Sequence, residues 1–268
     1  MPLRHSRPGA AVIGSALLGA LVLASALASV LAPDSFAPNA APLSPPSVPH
    51  VFGTDDLGRD GFAGVLHGAR TSLVVGFAAA TVATLLGLTI GGFSGIRGGA
   101  LDAVLMRLTE FVQALPRFFL LVVVMSLFES RLTLLIAVIG LTSWPAVARV
   151  FRAQVLSLAE RDFILAARSI GANDVRILTR HALPVALPVV AAQVSYQAGG
   201  AILTEAALSF LGLGDPGVVS WGALLGSAQH FVREAWWISL FPGAAITLTV
   251  LACNLVADAT GAGERYSP

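Results

Sequence analysis

Arg161-Asp162-Phe163-Ile164-Leu165-Ala166-Ala167-Arg168-Ser169-Ile170-Gly171 runs on through Arg176 and Arg180 to Leu183-Pro184, with long apolar stretches on both sides. Its four arginines alternate with Phe163, Ile164, Leu165 and Ile170. This is the pattern of an amphipathic helix that lies at a membrane surface and offers an apolar ridge to a partner. Residues 161–169 contain good helix formers and no glycine or proline. Gly171 falls where a left-handed cap would end that helix, and Asn173 or Asp174 can cap a second short helix, Val175 to Ala182. Pro184 and Pro188 then stand near the start of the next apolar run, where an early helical proline is tolerated. The expectation is helix, glycine turn, helix between two spans, with Ala166 and Ala167 small enough for another protein surface to approach closely.

The flanks set the class. The chain has 268 residues, 56% of them hydrophobic and 12% charged, and a mean hydropathy of +0.81. A soluble domain carries about 25% charge, so this is an integral membrane protein. Six apolar runs of spanning length are expected at about 9–32, 72–96, 105–128, 132–150, 184–211 and 238–259. The first, behind Arg4, His5 and Arg7, is longer than the apolar core of a signal peptide and is expected to stay as an anchor. Six prolines within residues 33–50 make an extended loop after it. The organisation expected is an anchor plus proline-rich extracytoplasmic loop over 1–50, then a five-helix membrane domain over 51–268.

Arginines orient the spans. With the N-terminus inside, Arg4, Arg7, Arg97, Arg107, Arg149, Arg152, Arg161, Arg168, Arg176, Arg180 and Arg265 are inside, against Arg59, Arg70, Arg131 and Arg233 outside, in accord with the positive-inside rule. Both termini and the 161–180 segment are therefore expected in the cytoplasm. All sixteen basic residues are arginine. A Walker A loop needs a lysine for the nucleotide phosphates, so ATP-driven work falls to another subunit. The net charge of +1 points to neither nucleic acid nor a strongly acidic partner. The single Cys253 cannot form a disulfide within the chain and reads as packing.

Ala166-Ala167, three residues, Gly171, nine residues, His181, one residue and Leu183-Pro184 resembles the EAA loop of bacterial ABC-transporter permeases, in which Leu165 stands for the glutamate and His181 for an isoleucine. Gly53-Thr54-Asp55-Asp56-Leu57-Gly58-Arg59-Asp60, followed by Gly68-Ala69-Arg70-Thr71-Ser72-Leu73, is similar to a signature of the C-type subunit of the dipeptide, oligopeptide and nickel permeases. Its aspartates lack the spacing of a calcium-binding loop, and a local Asp–Arg network is expected there. Glu205-Ala206-Ala207-Leu208-Ser209-Phe210-Leu211-Gly212-Leu213-Gly214 and Trp221-Gly222 resemble a third motif of that family. With Phe241-Pro242-Gly243, Asn254 and Asp258, the resemblance covers roughly 50–258. The Gly261–Arg265 tail departs from it.

The resemblance implies an all-α membrane protein with six transmembrane helices in the type I ABC importer permease fold, both termini cytoplasmic, in the bacterial inner membrane. It implies a transport subunit rather than an enzyme, with no cofactor or metal of its own. Its solutes would be di- or oligopeptides, or alternatively nickel or other metal chelates or glutathione-like compounds. The implied partners are a second homologous permease, two cytoplasmic ATPases and an extracytoplasmic solute-binding protein delivering to loops near 53–70 and 213–237. The coupling-loop residues would be Phe163, Ala166, Ala167, Gly171, Leu183 and Pro184; the signature-loop residues would be Asp55, Asp56, Gly58, Arg59 and Asp60.

Other residues stand apart. Glu205 is a candidate path carboxylate, with a helix-packing hydrogen bond as the alternative. Arg107 and Glu110, three apart, are expected to pair. Gly87, Gly91 and Gly95 form a ridge suited to close helix packing. Arg117 has no counterpart in the resemblance and no assigned role. Two other classes remain. A secondary transporter shows no inverted repeat here, and an intramembrane enzyme lacks metalloprotease and nucleophile-elbow motifs.

Overall fold

The computed structural model describes residues 8–32, 38 and 40–261; the expectations for Arg4, Arg7 and Arg265 lie outside them. Among the described residues the structure is helical, with one antiparallel bridge, Thr54–Asp60, and no strand. In chain order the helices are α1 (Pro8–Ala26), α2 (Ala28–Leu31), α3 (Gly61–Arg97), α4 (Gly99–Ala114), α5 (Arg117–Leu127), α6 (Leu132–Ala159), α7 (Asp162–Ser169), α8 (Asp174–Ile177), α9 (Leu183–Phe210), α10 (Trp221–Ala228) and α11 (Trp237–Gly261). Five helical segments are long and apolar enough to cross a membrane, or six if the bent pair α4–α5 counts as one span. Six spans were expected.

Four boundaries differ from expectation, three of them for a reason visible in the local residues. Helix α3 starts at Gly61, well ahead of residue 72, because the Asp60 side chain accepts a hydrogen bond from the Ala63 N–H and caps it. Gly68 to Leu73 is therefore helical, and Arg70 is an exposed helical residue. At 37 residues, α3 is about 55 Å long against a hydrocarbon core of about 30 Å, so it projects from the bilayer. The third span breaks: α4 and α5 meet at 74°, with Leu115-Pro116 between them, since proline removes a helical N–H and pushes the residue before it out of helical geometry. Helix α6 continues past Val150 to Ala159.

The fourth difference lies after the coupling segment. Instead of a separate second helix, α8 passes through a π turn, Leu178–Ala182, straight into α9. The Leu183 N–H bonds to the Leu178 carbonyl, five residues back. Pro184 cannot donate to the carbonyl four residues earlier and would crowd it. The wider register relieves that conflict without breaking the helix.

Helix α3 is the axis of the packing, and the glycine ridge explains how α6 approaches it. A methyl group at Gly87 would lie 2.5 Å from Val147 Cβ, at Gly91 2.2 Å from the Ala148 carbonyl oxygen, and at Gly95 2.9 Å from Val155 Cβ. Only glycine admits this separation. On the other side Ala198, Cys253 and Ala80 are buried together with Leu18 of α1 against them, so Cys253 is a packing residue.

At one end of the bundle, Arg152 of α6 holds Asp102 of α4 through Nε at 2.6 Å and Nη2 at 2.5 Å, and Ser94 of α3 donates to the same carboxylate. This bridge ties three spans together. Arg107 and Glu110 do not pair; both are exposed and neither makes an ion pair among the described residues.

Arg152→Ala is expected to lower the stability of the detergent-purified protein by about 1–3 kcal/mol, between the values for exposed and buried pairs. The reciprocal swap Asp102→Arg with Arg152→Asp should recover part of the loss. Thermal melting of the three proteins checks both.

Candidate functional site: coupling loop and signature loop

The candidate coupling segment is a hairpin seated on the end of α3. Helix α7 ends in a Schellman motif: the Gly171 N–H bonds to the Arg168 carbonyl at 3.0 Å and the Ala172 N–H to the Ala167 carbonyl at 3.0 Å. Gly171 has φ +84°, the left-handed region, and a β-carbon there would meet open space. The glycine is needed for its backbone angle, not for room. Asn173 caps the next helix, its side chain accepting from the Arg176 N–H at 2.9 Å.

The hairpin's two faces differ. Ile164, Ile177 and Leu178 are buried in a cluster with Ile96, Phe151, Val155 and Leu158, and Ala167 is buried as well. Two arginine contacts lock the seat: Arg168 Nη2 donates to the Ile96 carbonyl at 3.1 Å, and Arg97 pairs with Asp174 at 2.7 Å. The other face carries Phe163, Leu165 and Val175, about half exposed, and Ile170, 86% exposed. Charge surrounds this ridge through Arg161, Arg168, Arg176 and Arg180, all exposed.

Of the candidate residues, Phe163, Ala166, Gly171 and Pro184 are exposed, Leu183 is half-buried and Ala167 is buried. The two alanines therefore do different jobs. Ala167 lets α7 sit close to its own core, and only Ala166 faces outward. His181 packs its ring 6.3 Å from that of Phe163 and closes the hairpin from the π turn. Leu165 replaces a charge with exposed apolar surface.

The signature loop occupies the other end of α3. Asp55 pairs with Arg59 at 3.0 Å and accepts the Leu57 and Arg59 N–H groups, the local Asp–Arg network expected. Asp60 caps α3 and meets His50 Nδ1 at 2.8 Å. Gly58, at φ +75°, would drive a β-carbon to within 2.2 Å of the Ala40 carbonyl. Thr54 is the buried hub of the loop. Its hydroxyl donates to the Ala41 carbonyl and accepts the Ser44 N–H, and its carbonyl accepts Trp237 Nε1. The proline-rich segment is thereby strapped onto the loop and the loop onto α11. Asp56 lines a cleft of about 220 Å³ with Phe52, Trp237 and Phe241.

Glu205 is not on an open face. It is 2% exposed, accepts Ser72 Oγ at 2.9 Å and Ser209 Oγ at 2.7 Å, and Ser72 Oγ in turn accepts the Trp221 N–H at 3.3 Å. Trp221 is itself fully buried, with Nε1 donating to the Val65 carbonyl at 2.9 Å. A methyl at Gly222 would strike the Ala206 backbone at 2.4 Å. Three motifs separated in sequence therefore form one node joining α3, α9 and α10, the packing alternative for this carboxylate. The signal was present in Ser72 and Ser209, polar residues on apolar helices that need a partner.

Comparison with known proteins fits this arrangement. The family model described as the inner membrane component of binding-protein-dependent transport systems matches residues 70–261, which include the α7–α8 hairpin and the Glu205 node. The chain belongs to that family. A putative peptide permease protein of Brucella suis biovar 1 is 40% identical over 228 residues, 84% of this chain and 75% of the relative. A putative peptide transport system permease protein of the same organism is 39% identical over 245 residues, 89% and 82% of the two chains. The dipeptide transport system permease protein of Alkalihalophilus pseudofirmus is 36% identical over 251 residues, 92% and 83%. This binding-protein-dependent permease is a multi-pass inner-membrane protein of all-helical fold.

Proposed function

We propose that this permease forms half of the translocation pathway of an ATP-driven importer for peptides, with both termini in the cytoplasm and its α7–α8 hairpin docked on a cytoplasmic ATPase. The exposed ridge of Phe163, Leu165, Ile170 and Val175 on a hairpin whose underside is locked into the core carries this reading. An apolar ridge ringed by arginines suits a protein groove with an acidic rim. A rigid seat on α3, α6 and α9 suits transmission of motion, because displacement of the hairpin moves the span ends it is packed on. The absence of lysine from the chain leaves nucleotide chemistry to the partner. The pathway would be completed by a second, related permease, and two ATPases and a solute-binding protein would complete the importer. Peptide as solute is supported by the names of the relatives.

Affinity-tagged chain is expected to copurify from its native host with a Walker-A ATPase and a second permease, and the assembled importer to accumulate labelled trialanine only with ATP. Copurification without any ATPase would overturn the coupling assignment. Accumulation of a nickel chelate or glutathione but no peptide would overturn the solute assignment alone.

A further inference from the structure

Arg117 opens α5 directly after the Leu115-Pro116 break. Leu121 and Met125, one and two turns further along the same face, are 0% and 1% exposed, so Arg117 lies on the inward face of the helix. Its depth follows from its neighbours in sequence. Val112 of α4 packs beside Ala83, Trp144 and Ala148, while Leu121 of α5 packs in a cluster with Val75, Ala79 and Ile139. Arg117 falls between these levels, about halfway along α3. A lipid phosphate is out of reach there, because the hydrocarbon core is about 30 Å thick.

Two of its guanidinium nitrogens, Nε and Nη2, are buried with no hydrogen-bond partner among the described residues. No acid of the described residues pairs with it: Asp102 is held by Arg152 and Ser94 at the bundle end, Glu205 by Ser72 and Ser209, and Glu110 of α4 is exposed and makes no ion pair. A charge inside a span is costly and needs an anion or water. The side chain as a whole is half-buried, and Leu115, Phe118 and Phe119 beside it are 50%, 45% and 69% exposed. The break thus opens onto a free face of this chain. Irregular backbone at membrane depth is tolerated only against protein or where it lines a water-filled cavity. A planar guanidinium matches a carboxylate in bidentate fashion.

We propose that Arg117, at the break of the α4–α5 span, binds the carboxylate of the transported solute, which under the peptide reading above is the C-terminal carboxylate of the peptide. A carboxylate of the solute would engage the Nε and Nη2 donors that no group among the described residues of this chain engages.

The test uses the assembled importer in lipid nanodiscs without its solute-binding protein, titrated with labelled trialanine and with its C-terminal amide. Wild type is expected to bind the free acid at least about tenfold more tightly than the amide, a difference of about 1.4 kcal/mol. Arg117→Gln should bind both as weakly as wild type binds the amide, with Arg117→Lys between. Basal ATP hydrolysis reports assembly of each variant. If Arg117→Gln fails to assemble, the wild-type comparison of acid with amide and the Lys variant decide. Equal binding of acid and amide by wild type overturns the proposal, as does an Arg117→Gln variant that binds the acid normally. Equal weakening of both ligands also overturns it, and assigns Arg117 to a carboxylate of the second permease. ATP-driven trialanine uptake by wild type with its binding protein tests the peptide reading separately; its absence overturns that reading whatever the binding shows.

Discussion

Gly91→Leu should leave almost no folded protein in the membrane, and Gly91→Ala should already be strongly destabilised. The β-carbon would lie 2.2 Å from the Ala148 carbonyl oxygen and 3.0 Å from its Cα. Those atoms belong to backbone, so no rotamer change relieves the collision. The helices α3 and α6 must part, and that separation also loosens the contacts at Gly87 and Gly95. Overpacking a core typically costs about 1–3 kcal/mol; alanine is expected at the top of that range and leucine beyond it. Gly200→Ala is the control. It lies in α9 with nothing within 4 Å of the added carbon, and it should be neutral or slightly stabilising. Membrane abundance and melting temperature in detergent check all three. A Gly91→Leu protein with normal abundance and melting would contradict the packing of α3 on α6.

Gly171→Val is expected to act in the opposite manner, sparing the fold and removing function. The valine side chain meets open space, but its backbone must hold φ +84°. That strain is about 1–2 kcal/mol for a residue with a β-carbon, more for a branched one. It falls on the Schellman motif that ends α7. The last turn of α7 would fray, and Ile170 would lose its fixed position on the ridge. The protein should therefore reach the membrane at normal levels while ATP hydrolysis and solute uptake come apart, with uptake down about tenfold or more if the strained state is disfavoured by 1.4 kcal/mol. Gly171→Asn tolerates the left-handed region and should retain most of the uptake. Normal uptake by Gly171→Val would sink the coupling role of this turn. These two glycines separate the uses of the residue: at Gly91 it makes room, at Gly171 it supplies an angle.

Much of this was legible from local chemistry. Gly171 as a left-handed cap, Asn173 as an N-cap and the Asp55–Arg59 network each follow from interactions within a few residues, where sequence spacing equals spatial spacing. The small-residue ridge on α3 was likewise visible, because its period is that of a helix. Helix continuity was harder to read. Pro116 and Pro184 look alike in sequence, yet one sits at a 74° break and the other follows a π turn within a continuous helix. A proline specifies a missing donor and a crowded carbonyl, but the surrounding packing decides how the chain answers.

Composition and apolar run length determined by themselves that this chain is a multi-span membrane protein with an amphipathic, arginine-bearing segment between two of its spans. Those properties depend on transfer free energies and local backbone preferences, which are additive along a sequence. Tertiary structure alone decided that Glu205, Ser72, Ser209 and Trp221 form one closed node, that Ala167 turns inward while Ala166 turns outward, and that Nε and Nη2 of Arg117 are buried with no partner among the described residues. Each of these depends on which residues of distant segments arrive at hydrogen-bonding distance. That is settled by how helices pack, not by any single helix.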